Sequence, residues 1–114
     1  CSLRGCMSEP RALARLKRKL TVENLWLYII CILKGENKPL KAYDIKVKLR
    51  ELFDVNPPAI TVYTVLYRMV RDGLLEKKSK NGEVLYTPTD RGLEAYRKGL
   101  VLIEEVLAKL KLHG

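Results

Sequence analysis

Across residues 59–72, apolar side chains recur at Val62, Val65, Leu66 and Met69, the i, i+3, i+4, i+7 stripe of an amphipathic helix. Thr61, Thr64, Tyr67, Arg68 and Arg71 take the opposite face. Asn56 is the candidate N-cap. Pro57 and Pro58 suit a first turn, whose amides have no intrahelical partner to lose, and Gly73 is a natural C-terminal stop. Two strand-like runs follow, 75–78 and 84–87, around Lys80-Asn81-Gly82-Glu83. Asn-Gly between such runs predicts a two-residue type I′ hairpin, because both central residues of that turn need positive φ. That loop sets Lys80 opposite Glu83, Lys78 opposite Leu85 and Lys77 opposite Tyr86. A helix with polar and basic residues outward, followed by a basic hairpin, is the pattern of a winged helix-turn-helix. In that arrangement the helix enters the major groove of DNA and the hairpin lies along the backbone.

The earlier part of the chain predicts three more helices. Residues 8–20 place Leu13, Leu16 and Leu20 on one face and Arg11, Arg15, Lys17, Arg18 and Lys19 on the other, with Ser8 as N-cap and Pro10 in the first turn. This segment reads as a basic helix packed on a partner subunit, as a DNA-touching arm, or, least well because its apolar face has no aromatic anchor, as a membrane-surface helix. Residues 21–34 form a second helix capped by Thr21 and apolar on every side from Leu25 to Leu33, hence the central buried helix. Trp26 and Tyr28 there invite a ligand-stacking role but read better as core or dimer packing, and Cys31 reads as a small buried hydrophobe. After a turn at 35–40, Lys38-Pro39-Leu40 is a candidate edge strand to the hairpin. Residues 42–53 make the third helix, with Ile45, Leu49, Leu52 and Phe53 inward, Tyr43, Val47 and Arg50 on the far side, and Lys41, Lys46 and Lys48 at the flanks. The first helix of a helix-turn-helix crosses the phosphate backbone, which gives such basic residues a role.

From residue 90 to 112 the period changes again. Leu93, Tyr96, Leu100, Ile103, Leu107 and Leu110 follow 3-4-3-4-3 spacing, an a/d heptad seam for which a lone helix has no use. Leu102 and Val106 add a second strip, expected against the domain itself or the other subunit's first helices. Gly92 and Gly99 each lower helix propensity by about 1 kcal/mol relative to Ala, so this helix needs outside packing to form. A homodimer is expected.

Composition narrows the partner. The chain has 114 residues, enough for one domain with a small core. Its 22 basic and 13 acidic residues give a formal charge of +9, which favours a polyanion. The charge is concentrated: residues 1–20 carry +5 and residues 38–50 carry +4, whereas 59–72 and 75–87 are each only +1. The three cysteines, Cys1, Cys6 and Cys31, lack zinc-type spacing, and no metal or other cofactor is expected. Met7 offers itself as a start, which would make residues 1–6 an upstream remnant. No signal peptide is evident, and the longest apolar run, 25–33, is far below the ~20 residues that span a bilayer. A cytoplasmic setting with no membrane partner is expected. The one histidine, His113, is penultimate and expected to fray, and neither a nucleophile–base set nor a Gly-rich phosphate loop is present. An enzyme is not expected.

Several short stretches together resemble a known family. Ala42-Tyr43-Asp44-Ile45 is similar to the Gly-Tyr-Glu-Ile signature of PadR-like winged-helix transcriptional regulators. Val62-Tyr63, Val65-Leu66, Met69 and Asp72-Gly73-Leu74-Leu75 resemble their recognition-helix segment, and Tyr86 with Thr89-Asp90-Arg91-Gly92 resembles their exit from the wing. The resemblance runs from about residue 21 to the C-terminus. Ala42 stands where the family has Gly and Pro88 where it has an aliphatic residue. The resemblance implies a dimeric repressor, of the short branch with one C-terminal helix, in which Tyr63 touches DNA; its helical phase predicts ring inward and hydroxyl outward. Some relatives hold flat aromatic compounds between subunits with a tryptophan on the last helix, where this chain has none; whether a small-molecule effector acts here stays open.

The expected fold is thus mainly α with a small β-hairpin (α+β), organised as a basic arm (1–20), a winged helix-turn-helix (21–89) and a dimerisation helix (90–114). The residues expected to meet double-stranded DNA are Lys41, Tyr43, Thr61, Tyr63, Thr64, Tyr67, Arg68, Arg71, Lys77, Lys78, Lys80 and Asn81. The dimer seam is Leu93, Tyr96, Leu100, Ile103, Leu107 and Leu110. Two alternatives share this pattern: a sequence-tolerant, chromatin-like DNA binder, and a winged-helix protein-interaction module. The latter would tend to carry an apolar patch on the outward helix face.

Overall fold

The computed structural model describes residues 9–114. In chain order these form α1 (Arg11–Leu20), a 3-10 turn (Val22–Asn24), α2 (Leu25–Glu36), α3 (Ala42–Phe53), α4 (Ala59–Arg71), β1 (Leu75–Lys80), β2 (Glu83–Pro88) and α5 (Asp90–His113). The core is built around α2, whose Leu25, Ile29, Ile30, Ile32 and Leu33 are buried. Ile45 and Leu49 of α3, Val62, Leu66 and Met69 of α4, and Leu75 of β1 close around it. The α4 stripe therefore lies where its spacing predicts, with Val65 half-buried at its edge.

The hairpin has the predicted register: Lys80 faces Glu83, Lys78 faces Leu85 and Lys77 faces Tyr86. Asn81 and Gly82 adopt φ of 52° and 79°, both positive as a type I′ turn requires. Upstream, Leu40 and Tyr86 exchange backbone hydrogen bonds at 3.1 and 2.8 Å, so the 38–40 segment adds a single bridge rather than a full strand. At the end of α4, Gly73 (φ 81°) donates to the Val70 carbonyl at 3.1 Å and Leu74 to that of Met69 at 2.8 Å. These two bonds are the Schellman stop that a C′ glycine permits.

Several capping assignments need correction. Ser8 lies outside the described residues, and α1 begins after Pro10, which sits before the first turn rather than within it. Thr21 does not cap α2. It ends α1, donating its hydroxyl to the Lys17 carbonyl at 2.8 Å, and a 3-10 turn intervenes before α2 starts at Leu25. Asn56 does not cap α4. Its side-chain oxygen accepts from Lys46 Nζ at 3.0 Å, and the Pro58 carbonyl takes the first amides of the helix, Thr61 at 3.0 Å and Val62 at 3.2 Å.

Burial departs from expectation in three places. Leu52 is 58% exposed and Phe53 37%, because α3 ends in a left-handed residue, Asp54 (φ 56°), that turns the chain so that Val55 takes the inward position. Cys31 is half-exposed rather than buried. It faces an open apolar groove of about 300 Å³ between α2 and α5, lined also by Leu20, Tyr28, Phe53, Tyr96 and Leu100. Trp26 and Tyr28 do pack on the core edge, Tyr28 with its ring 5.0 Å from that of Phe53 and its hydroxyl bonded to the Leu20 carbonyl. Leu102 and Val106 do not lie against their own domain, since all of 100–114 is exposed.

The start of α5 is clamped to the turn between α4 and β1. Thr89 caps the helix, accepting from the Gly92 amide at 2.9 Å, while its hydroxyl donates to the Gly73 carbonyl at 2.6 Å. Its own amide donates to the Leu74 carbonyl at 3.1 Å. A Cβ on Gly92 would lie 2.1 Å from that same carbonyl oxygen. The two glycines that weaken the helix by propensity are therefore points of close approach: Gly92 to backbone, and Gly99 to the side chains of Leu27 and Trp26.

Candidate nucleic-acid interface

α4 presents three lines of side chains outside the core. At 3.6 residues per turn, Ile60, Thr64, Tyr67 and Arg71 lie opposite the buried Val62, Leu66 and Met69, and all four are exposed. Thr61 and Arg68 lie on one flank, beside Val22 and Glu23 of the 3-10 turn. Tyr63 lies on the other flank, where it lines a cleft between α4 and the hairpin with Tyr67, Val70, Arg71, Lys77 and Tyr86. Tyr63 is 56% exposed, so the expected ring-inward placement does not hold; Tyr86, which lines the same cleft, is the tyrosine that packs against the core. Burial first, and then the neighbouring Tyr63 phenol, push the Tyr86 hydroxyl above its ordinary pKa.

Ile60, at 75% exposed, is the outward residue that sequence reasoning passed over. The signal was available, because residue 60 falls diametrically opposite the Val62–Leu66–Met69 stripe. The outward face is consequently less polar than the threonines and arginines alone imply.

The wing contributes lysines to both faces of the hairpin. Strand alternation puts Lys77 on the side of Leu75 and the α4 cleft, and Lys78 and Lys80 on the other; all three are exposed, as is Asn81 at the tip. Lys41 at the start of α3 reaches Glu83 of the wing at 3.5 Å, next to exposed Tyr43. Lys48 lies 3.7 Å from Glu36. Exposed pairs of this kind are worth ~0–1 kcal/mol, so phosphates can displace them.

α1 approaches the same region. Glu23 accepts from Lys19 at 2.7 Å and Arg18 at 3.2 Å, and it also lines the groove that holds Ile60, Thr61, Thr64 and Arg68. The Lys19 hydrogen bond is the main reason its carboxyl titrates below the ordinary value. The basic C-terminal end of α1 is thereby placed at the flank of α4, a proximity that no sequence pattern contains.

The predicted seam lies elsewhere. Leu93 and Tyr96 are half-buried on the core, whereas Leu100, Ile103, Leu107 and Leu110 are exposed, the last at 68%. Lys34 Nζ stands 5.8 Å over the Tyr96 ring. Among the described residues, no group of His, Cys, Asp and Glu is arranged to hold a metal ion, and no helix is long and apolar enough to cross a membrane.

Helices α2, α3 and α4 followed by the β1–β2 hairpin constitute a winged helix-turn-helix, joined here to a basic α1 and a long α5. No family model and no curated protein matches the chain in sequence. Solved structures do match it in fold. A PadR-like transcriptional regulator from Bacillus cereus superposes with a TM-score of 0.57 at 25% identity, over 89% of this chain and 98% of that one. A PadR-like transcription factor from Bacteroides fragilis gives 0.67 at 17% identity, over 92% and 100%. A winged-helix DNA-binding protein from STIV gives 0.66 at 13% identity, over 75% and 92%. The resemblance to PadR-like regulators carried by the sequence is thus borne out in the fold.

Proposed function

We propose that this chain is a sequence-specific regulator of transcription that binds double-stranded DNA as a homodimer and acts as a repressor. The outward line of α4 enters the major groove, and Thr61, Tyr63 and Arg68 sit at its edges. Lys77, Lys78, Lys80 and Asn81 of the wing, with Lys41 and Tyr43 at the start of α3, meet the backbone. Residues 21–89 are the DNA-binding unit, 1–20 a basic arm and 90–114 the dimerisation helix. No catalytic role is assigned to any residue.

The observation that carries this reading is the placement of α4. One full face of it is left uncovered by the described residues, between a basic hairpin and the basic end of α1, on a fold shared with DNA-binding regulators. Dimerisation is supported by the apolar surface left open along α5 and continued across the adjoining groove by Leu20 and Phe53. A contiguous patch of that kind marks an association surface. The exposed Ile60, Tyr63 and Tyr67 favour a second reading, an interaction module that binds protein through α4.

Footprinting on the DNA upstream of the protein's own coding sequence separates the readings. One protected palindrome, with half-sites about 10 bp apart, supports a specific regulator; diffuse coverage supports an architectural binder. The triple substitution Thr64→Ala, Tyr67→Ala, Arg68→Ala abolishes selective protection if α4 is the reader. Undiminished affinity in that variant rules α4 out and leaves the interaction module.

A further inference from the structure

The composition of the outward line of α4 limits what it can read in DNA. Residues 59–67, AITVYTVLY, contain no charged and no amide side chain. The first two turns of a recognition helix are the part that reaches the base edges. The bidentate pairings that distinguish guanine by Arg or Lys, and adenine by Asn or Gln, are therefore missing from the stretch that would penetrate deepest. Arg68 stands a turn further on, at the flank beside Glu23, and Arg71 is drawn toward Asp72 at 3.4 Å. Thr64 is restricted too: its hydroxyl donates to the Ile60 carbonyl at 2.8 Å, so it has no proton left to give to a base. What this surface offers outward is the Ile60 side chain, the Thr64 methyl, and further along the ring of Tyr67.

We propose that Ile60, seconded by the Thr64 methyl, reads the C5-methyl groups of thymines in the major groove and sets a thymine requirement at the centre of each half-site. Thymine is the one base that presents an apolar group in the major groove, where it is recognised by apolar contact. A β-branched side chain with restricted rotamers loses little freedom on docking, and the water it sheds drives the contact. The inference rests on α4 being the DNA reader. It adds what that reader recognises, and shifts base preference away from the arginines.

The test uses the full chain and the duplex it enriches most strongly from a pool of randomised DNA, measured by fluorescence anisotropy. Each thymine in turn is replaced by deoxyuridine, which removes only the methyl group. Affinity is expected to fall on the order of four-fold for each methyl in contact, at one or two positions per half-site and nowhere else. Restoring the methyl at a contacted position, with 5-methylcytosine in place of thymine and guanine opposite, should recover affinity relative to unmethylated cytosine. Ile60→Ala should lower affinity for the thymine duplex and bring its thymine-to-uracil ratio near one, while Ile60→Val retains part of the discrimination. Because Ile60 is exposed, both variants should fold, and circular dichroism checks that they do. A wild-type chain that selects one duplex but binds its deoxyuridine forms equally well overturns the inference and leaves DNA recognition by α4 standing. An Ile60→Ala variant that keeps the full thymine-to-uracil ratio also overturns it. A chain that enriches no duplex above the random pool overturns the underlying reading as well.

Discussion

Gly92→Ala and Gly99→Ala are the same chemical change on one helix, and the structure gives them different outcomes. By propensity alone each should stabilise α5 by about 1 kcal/mol. At residue 92 the new methyl would stand 2.1 Å from the Leu74 carbonyl oxygen and 3.0 Å from its carbon, where a carbon–oxygen contact ordinarily lies at about 3.3 Å or more. That carbonyl cannot move aside freely, because it accepts from Thr89 at 3.1 Å, and the adjacent Gly73 carbonyl accepts from the Thr89 hydroxyl at 2.6 Å. Relief requires α5 to shift outward by more than 1 Å, which weakens these two bonds and the Gly92–Thr89 cap at 2.9 Å. Such bonds are worth about 1 kcal/mol each, and overpacking adds about 1–3 kcal/mol. Set against the propensity gain, the net loss is about 3 kcal/mol. At residue 99 the nearest atom is Leu27 Cδ2 at 2.9 Å, with Trp26 Cη2 at 3.4 Å. Both are ends of half-exposed side chains that can rotate, so Gly99→Ala should stay within about 1 kcal/mol of the parent. Thermal unfolding at matched protein concentration, which an oligomer requires, reads both. For a chain of this size 1 kcal/mol is about 4 °C, so Gly92→Ala should melt roughly 12 °C lower and Gly99→Ala within about 4 °C. A Gly92→Ala protein that melts at or above the parent temperature would refute the close-approach argument.

Replacing Leu100 and Ile103 together with Asp places charges on the open seam, where an unpaired carboxylate buried between subunits costs several kcal/mol. Sedimentation should then show monomer or unfolded chain, with DNA affinity reduced, and a monomer of undiminished affinity would sink the dimer reading. Deleting residues 1–19 removes all six basic residues of 1–20 together with their one glutamate, a net charge of +5. Since each lost phosphate contact lowers the log–log salt slope by about 0.9, the salt dependence should flatten by a few units on cognate and random DNA alike, with base preference intact. An unchanged slope would show that the arm faces away from DNA. The Tyr96 hydroxyl is pushed up to about 12, first by its hydrogen bond with Cys31 and then by burial. Its unfolded value is near 10, so the stability it contributes is complete below pH 10 and lost as pH rises through 12; phenolate absorbance should show Tyr96 as the last tyrosine to titrate, and that last phase should move to lower pH in Cys31→Ala.

The sequence by itself determined the elements that depend on neighbours in the chain. The α4 stripe follows from helical period, the Schellman stop from Gly73, and the wing's register from Asn81-Gly82, because period and turn stereochemistry act over a few residues. Even the outward position of Ile60 is a matter of phase. Local signals were weaker at the helix starts: Thr21 and Asn56 are good caps by residue type, but each found another partner, since capping competes with every nearby donor and acceptor. Only the tertiary structure decided what depends on distance across the fold. It turned the chain at Asp54, just past α3, so that Val55 takes the inward position and Leu52 and Phe53 stay accessible. It drew the basic end of α1 to the flank of α4 through Glu23, opened the groove beside Cys31, and made Gly92 a backbone contact rather than a weak point in a helix. These are packing outcomes among segments remote in sequence, and a one-dimensional pattern of polar and apolar positions carries no record of which surfaces meet.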